Sequence, residues 1–312
     1  MQKYQIGVKV KEVFGLNKRK SELIKKEERA GYLFALPWFI GFSVFIAGPV
    51  IASLVLSFTK YEVVTSPRFI GISNYKSLLQ DPLCWKSLYN TMYMVIVGVP
   101  LQIIVPLSVA LLLNKEVKGI SWYRTCYYLA SIMPMVASSI LWLWILDANF
   151  GILNTTLSTM GVQGPNWLGD PAWAKLGIIL MLVWAATGSN MIIYLAGLKA
   201  VPEQLYEAAR IDGASWWQLF WNITIPMLTP ALFFTLIMGL VFTFQIFTQA
   251  YIMTEGGPVN STLFYVYYLY NNAFAYFKMG YASALAWILF LVIFVITITQ
   301  LKLSKHWVYY RV

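Results

Sequence analysis

Residues 176–226 read LGIILMLVWAATGSNMIIYLAGL, then KAVPEQLYEAARIDGASWWQLFWNITIP. The first part, 176–198, contains no Asp, Glu, Lys, Arg or His. About 20 apolar residues suffice for a helix to cross the hydrocarbon of a bilayer. A helix also closes its own backbone hydrogen bonds, as any segment in lipid must. The second part turns polar at Lys199, and its local signals are specific. Pro202 suits a first helical position and Glu203 complements the positive helix start. Gly213 can take the left-handed conformation that ends a helix, and Ser215 with Gln218 forms a capping-box pattern that opens another. Pro226 is expected to mark the break before the next apolar run. The reading is a membrane span followed by a helix–turn–helix lying on the membrane face, with Ala208 and Ala209 leaving one side bare for close approach by another protein.

Outward from this stretch the pattern repeats. Apolar, uncharged runs occupy 32–58, 91–113, 125–146, 231–251 and 281–301. Over the 312 residues, 59% are hydrophobic and 12% charged, and the mean hydropathy is +0.64. A soluble domain carries about 25% charged residues. The expected fold is therefore an all-α membrane protein of about six transmembrane helices. Seventeen of the 23 Lys and Arg fall in segments that share a side with the N-terminus. This bias places both termini in the cytoplasm. It also explains the net charge of +10 without nucleic acid. Residues 1–30 are expected to be a basic cytoplasmic tail touching anionic lipid, with Lys18, Arg19, Lys20, Lys25, Lys26 and Arg29 next to the first run. That tail is long for the leading region of a signal peptide, and the run after it is long for the apolar one. Residues 31–312 form the transmembrane domain. The outer loop 148–174 carries turn and aromatic residues, and the stretch from Phe264 to Tyr276 is expected to be a partly interfacial helix. Cys84, in a predicted outer loop, and Cys126, near an inner helix end, are separated by a bilayer of roughly 30 Å, so no disulfide or cysteine metal site is expected. His306 is the only histidine, which leaves no histidine-based metal site or triad within the chain.

The loop 201–226 resembles the EAA loop of binding-protein-dependent ABC importer permeases. The pattern is Glu207-Ala208-Ala209, then Asp212-Gly213-Ala214, then Ile223-Thr224-Ile225-Pro226. A lone Glu-Ala-Ala would carry no weight, but the full pattern before the penultimate span is specific. The resemblance covers nearly the whole chain. Phe34 to Pro37 and Ser57-Phe58-Thr59 are similar to the family's first span. Phe69 to Tyr75, Asn90-Thr91, Pro134, Trp142, Gly151, Asn154, Asn166 to Pro171 and Gly256-Gly257-Pro258 are similar to its carbohydrate uptake branch. The chain most resembles the six-span, MalF-like members, without the extra spans and outer domain of the maltose subunit itself.

The resemblance implies a type I ABC importer permease in the cytoplasmic (inner) membrane of a prokaryote. It implies a coupling loop in which Glu207, Ala208, Ala209, Asp212 and Gly213 meet a separate ATPase. It implies further partners: a second homologous permease, two ATPase subunits or an ATPase homodimer, and an extracytoplasmic solute-binding protein. No cofactor is expected in this chain, with ATP and Mg held by the ATPases. Asp212 alone could be a simple turn residue.

A translocation path needs polar groups at membrane depth, and amides there should face the protein interior. The candidates are Ser189, Asn190, Thr243, Gln245, Gln249 and Tyr251, with Thr187 and Thr248 beside them and Trp184, Phe242 or Phe247 able to stack on a sugar ring. The same groups could instead join helices. The family's substrate-lining positions fall on these spans and favour Ser189, Thr243 and Gln245. Ile246 stands where relatives can carry a polar residue. Uncharged spans favour a neutral solute, a mono- or oligosaccharide, over a glycerol-phosphate-type cargo that would want Arg or Lys. They also count against a proton-coupled secondary transporter, though a sodium-coupled carrier or a channel for a neutral solute stays open. No nucleophile, acid–base pair or metal set points to an enzyme, and the phosphate-loop signature Gly-x-x-x-x-Gly-Lys-Ser/Thr is absent from the sequence.

Overall fold

The computed structural model describes residues 22–115 and 118–309. The stretch 1–21, with Lys18 to Lys20, and the C-terminal Arg311 lie outside the described residues. The chain falls into two compact units, divided after Val55. Among the described residues, five helices are long and apolar enough to cross a membrane: Lys25–Ser57, Pro82–Leu113, Ala174–Lys199, Trp216–Phe244 and Met279–Trp307. Ile120–Ile132 and Met135–Ile145 make a sixth as a pair bent by 105°. They are spans 1 to 6 in chain order, the bent pair being span 3.

Several boundaries differ from the sequence reading, each for a physical reason. The run 125–146 is not one straight helix. Met133 is extended (ψ 133°) and Pro134 caps the second half, because proline clashes with the carbonyl four residues back and pushes its predecessor out of the helical region. Span 5 is shifted: it begins at Trp216 and ends at Phe244, not at 231 and 251. Pro226 does not break it. A π-helical turn, Phe220–Thr224, sits immediately before it and widens the helix where the proline ring would collide. The same device precedes Pro49, with the π turn Ser43–Ala47, and Pro100, with the π turn Met94–Gly98. The helix of span 1 begins at Glu22, so residues assigned to the end of the tail are helical. Cys84 is not in a loop but buried in the first turn of the helix Pro82–Tyr93, and Cys126 is exposed. The Phe264–Tyr276 stretch divides, with Phe274 and Tyr276 exposed at its end. Phe264, Tyr265, Tyr267 and Tyr268 are buried in the core of the second unit.

In the first unit, span 1 presents apolar side chains such as Phe34 and Phe45 outward along its length. In the second unit, span 4 is the central pillar and packs on spans 2, 3 and 5. A Cβ at Gly188 would meet the Tyr127 carbonyl at 2.5 Å and Ser131 Oγ at 2.8 Å, so only glycine lets span 4 lie this close to the first half of span 3. Lower on the same helix, Tyr194 shares a 2.6 Å hydrogen bond with Thr235 of span 5.

The outer ends of the helices are stitched by side chains. Asn90 donates to the carbonyls of Asn260 and Leu263, at 2.8 and 3.1 Å, and Thr91 Oγ1 accepts from Tyr265 N–H at 2.9 Å. Asn154 donates to Ala148 and Pro165 carbonyls and accepts from Trp167 Nε1 at 2.7 Å, which folds the loop after span 3. Asp81 caps the helix of span 2 through Leu83 N–H and accepts from both Tyr268 and Tyr281 hydroxyls, the latter at 2.5 Å. One carboxylate thus ties span 2, the helix Tyr265–Tyr270 and span 6.

Burial raises the Asp81 pKa, but the Tyr268, Tyr281, Leu83 and Cys84 donors outweigh it and hold the carboxyl below its usual 3.8. The folded value is depressed, so the contribution is complete above pH 3.8 and is lost as pH falls through the folded value. Asp81→Asn should destabilise the protein by about 1 kcal/mol, since the site is partly solvated. Hydrogen exchange of 264–276 should rise in the variant at neutral pH and in the wild type only under strong acid. Unchanged protection in Asp81→Asn would show that the carboxylate does not hold this segment.

Candidate functional site

The break in span 3 and the end of span 5 face one another across a cavity of about 610 Å³. The two interruptions are connected: Met133, Met135 and Ser138 border it on one side, and Gln245, Ile246 and Phe247, just past the last turn of span 5, border it on the other. Span 4 supplies Ser189 and Asn190, and span 2 supplies Gln102.

Of the six expected path residues, five line this cavity: Ser189, Asn190, Thr243, Gln245 and Gln249. They divide by role. Ser189 and Gln245 are exposed, whereas Thr243 and Gln249 are buried in the wall. Asn190 Nδ2 donates to the Gln102 carbonyl at 3.0 Å, which spends part of its capacity on joining spans 2 and 4. Tyr251 is not among the lining residues. Its ring stacks on Phe247 at 5.5 Å and contacts Tyr267 and Tyr270. Phe242 and Phe247 do line the cavity, with Phe242 exposed. Trp184 and Thr187 line a separate cavity beside spans 2 and 3, and Thr187 spends its hydroxyl on the Val183 carbonyl. Ile246 is buried at the rim. No Asp, Glu, Lys, Arg or His is among the lining residues.

Gln102, Ser131 and Ser138 also line the cavity and were not singled out in the sequence. Gln102 had a signal. An amide inside an otherwise apolar span is costly unless it faces protein or a polar space. The two serines had none, because which face of span 3 they occupy depends on the 105° bend.

The loop after span 4 forms the helix Glu203–Ile211, a tight turn, and the capped start of span 5. Pro202 stands just before the helix as its N-cap rather than inside it. Gly213 is left-handed (φ 80°). Its N–H reaches the Arg210 carbonyl at 3.0 Å and the Ala214 N–H reaches Ala209 at 2.9 Å, the paired bonds of a Schellman stop. Ser215 and Gln218 close the capping box in both directions. Glu207, Ala208, Asp212 and Gly213 are exposed and Ala209 is half-buried. Tyr206 bonds Thr224 at 3.0 Å, which ties the helix to the base of span 5. Span 5 then runs 29 residues to Phe244 at the cavity, about 40 Å of helix.

Residues 82–308 match the family described as binding-protein-dependent transport system inner membrane component. The chain is 44% identical to the probable ABC transporter permease protein YesP of Bacillus subtilis over 94% of its own length and 96% of that protein's. It is 37% identical to the lactose transport system permease protein LacF of Rhizobium radiobacter, covering 92% and 98% of the two chains. With the trehalose/maltose transport system permease protein MalF of Thermococcus litoralis it shares 34% identity over 93% and 98%. Its fold superposes on a chain of a bacterial alginate ABC transporter, solved with an alginate pentasaccharide-bound periplasmic protein, with TM-score 0.77, 24% identity and coverage of 92% and 97%.

The close approach at Gly188 should set the width of the cavity, since Ser131, Ser189 and Asn190 all border it. Gly188→Val should cost about 1–3 kcal/mol by forcing spans 3 and 4 apart, read as a lower unfolding midpoint of the purified chain. A midpoint equal to wild type would mean that the two helices do not pack as described.

Proposed function

This chain belongs to the family of binding-protein-dependent transport system inner membrane components, and we propose that it is the sugar-translocating permease of a complete importer. As an ABC importer permease it is a transport component embedded in the membrane. The finer reading concerns cargo, partners and coupling. The cargo is a neutral mono- or oligosaccharide. One observation carries this: the cavity at the broken span is lined by amides, hydroxyls and the Phe242 and Phe247 rings, without an ionisable side chain. Hydroxyl and amide groups exchange hydrogen bonds with sugar hydroxyls, and an aromatic face covers the apolar face of a pyranose. A phosphoester would call for Arg or Lys at the site. The names of the lactose and trehalose/maltose relatives support the same cargo class.

ATP and Mg are held by separate ATPase subunits, and the coupling loop receives one of them. Glu207, Ala208, Ala209, Asp212 and Gly213 form the contact: a small-faced helix, exposed, terminated by a rigid turn and bonded to span 5 through Tyr206. ATPase closure moves the helix Glu203–Ile211, span 5 follows as a rod, and its far end changes the wall of the cavity. One chain offers one such loop, so a second homologous permease completes the docking surface for two ATPases. An extracytoplasmic solute-binding protein delivers the sugar to the stitched outer loops. The setting is the cytoplasmic membrane of a prokaryote, with both termini inside.

Purification of the tagged chain from native membranes tests the coupling. An ATPase and a second permease should co-purify with the wild type, and Glu207→Arg should lose the ATPase while keeping the permease. If Glu207→Arg retains full ATPase activity in the eluate, the loop has no coupling role. Cargo is tested on the intact complex. Gln245→Ala should weaken sugar-stimulated transport several-fold, the worth of one to two hydrogen bonds at about 1 kcal/mol each. Binding of a charged phosphoester with no response to any neutral sugar would overturn the cargo assignment.

A further inference from the structure

On the side of the membrane opposite the coupling loop, two ammonium groups share one aromatic ring. Lys86, in the first turns of span 2, lies over Tyr89 at 6.0 Å from the ring centroid. Lys175, the second residue of span 4, lies 5.9 Å from the same ring and 5.1 Å from Tyr93. Lys175 Nζ also reaches Asn90 Oδ1 and the Ser261 carbonyl, both at 3.4 Å. Lys175 is half-buried. It folds inward over rings and dipoles instead of extending into water, so it is not a lysine merely snorkelling at a helix end. Among the described residues, Lys60 pairs with Glu62, and neither Lys86 nor Lys175 has a carboxylate partner. Two like charges gathered on one platform repel, and ring quadrupoles offset this only in part. An anion reached by both ammonium groups would offset that repulsion.

The surroundings say which anion. Trp85 is 53% exposed, Tyr89 61% and Ile96 65%. Their spacing of four and seven residues puts them on one face of span 2. That face runs from an amphipathic aromatic rim at headgroup depth down to bare aliphatic surface. An anion held by Lys86 and Lys175 therefore sits at the top of an apolar stripe along which an acyl chain can lie. We propose that Lys86 and Lys175, on the Tyr89 and Tyr93 rings, bind the phosphate of an anionic phospholipid in the outer leaflet. The lipid neutralises the paired charges at the junction of spans 2 and 4 with the outer segment containing Ser261. Free phosphate has the same headgroup chemistry but lacks the chain that the stripe accommodates.

The test uses the full chain in nanodiscs of phosphatidylcholine with a minor fraction of phosphatidylglycerol, read by native mass spectrometry. The wild type should retain a phosphatidylglycerol molecule against excess phosphatidylcholine. Lys86→Gln and Lys175→Gln should each lower its retention roughly fivefold, and the matching Arg variants should keep it. Inorganic phosphate at high concentration should not displace it. Equal retention by wild type and the Lys86→Gln/Lys175→Gln double variant overturns the proposal. Displacement by inorganic phosphate reassigns the site to a soluble anion and overturns it as a lipid site. Failure of a Gln variant to fold is separated from loss of lipid by the Arg variants, which preserve charge at the same positions.

Discussion

In hydrocarbon every backbone N–H and C=O needs a partner, so unwound backbone is tolerated only inside protein or along a polar space. Among the described residues, two such interruptions are the Met133-Pro134 break in span 3 and the end of span 5 after Phe244. Both open onto the same cavity. Local bonds absorb part of the cost. Ser138 N–H returns to the Pro134 carbonyl at 3.0 Å, and Gln245 and Ile246 N–H reach back to Phe242 and Thr243. The remainder is met by lining the space with amides and hydroxyls. The cavity thus brings this broken backbone and these polar side chains together. Span 4, fixed against span 3 at Gly188 and against span 5 at Tyr194, holds the two interruptions in register.

The same logic joins the cavity to the cytoplasmic face. Proline in a helix usually kinks it. The π turn Phe220–Thr224 takes up Pro226 without a break. The capping box at Ser215 and the Schellman stop at Gly213 fix the turn below it. What results is one helical run between the exposed loop and Gln245, with Pro230 inside it as a second proline.

Much of this was legible in the sequence because the signals were local. Uncharged runs gave the spans, Gly213 and the Ser215–Gln218 pair gave the turn, and polar residues in apolar runs gave five of the cavity residues. The failures share a cause. Pro134 and Pro226 look alike in sequence, yet one breaks a helix and the other is absorbed by a π turn, and tertiary packing decides between them. Tyr251 and Thr187 carry the same polar signal as Gln245 and Ser189, but the rotation of their helices turns them toward a tyrosine cluster and a second cavity. Tyrosines at 265–268 suit an interface by composition, and only the contacts of Asn90 and Asp81 with that segment show why they are buried.

With no Asp, Glu, Lys, Arg or His lining the cavity, the charged side chains lie toward the two ends, and the ends differ in kind. At the outer end, Asn90, Thr91, Asn154 and Asp81 spend their polar capacity on other parts of the same chain, locking loops onto helices. At the inner end, Glu207, Asp212 and Arg210 are exposed, and no bond from their side chains to the rest of the described chain offsets that exposure. A pre-satisfied surface is rigid before a partner arrives, and a surface with unspent groups gains from one. The outer loops are therefore held in shape by bonds within the chain. Span 5 is the element that joins the inner face to the cavity.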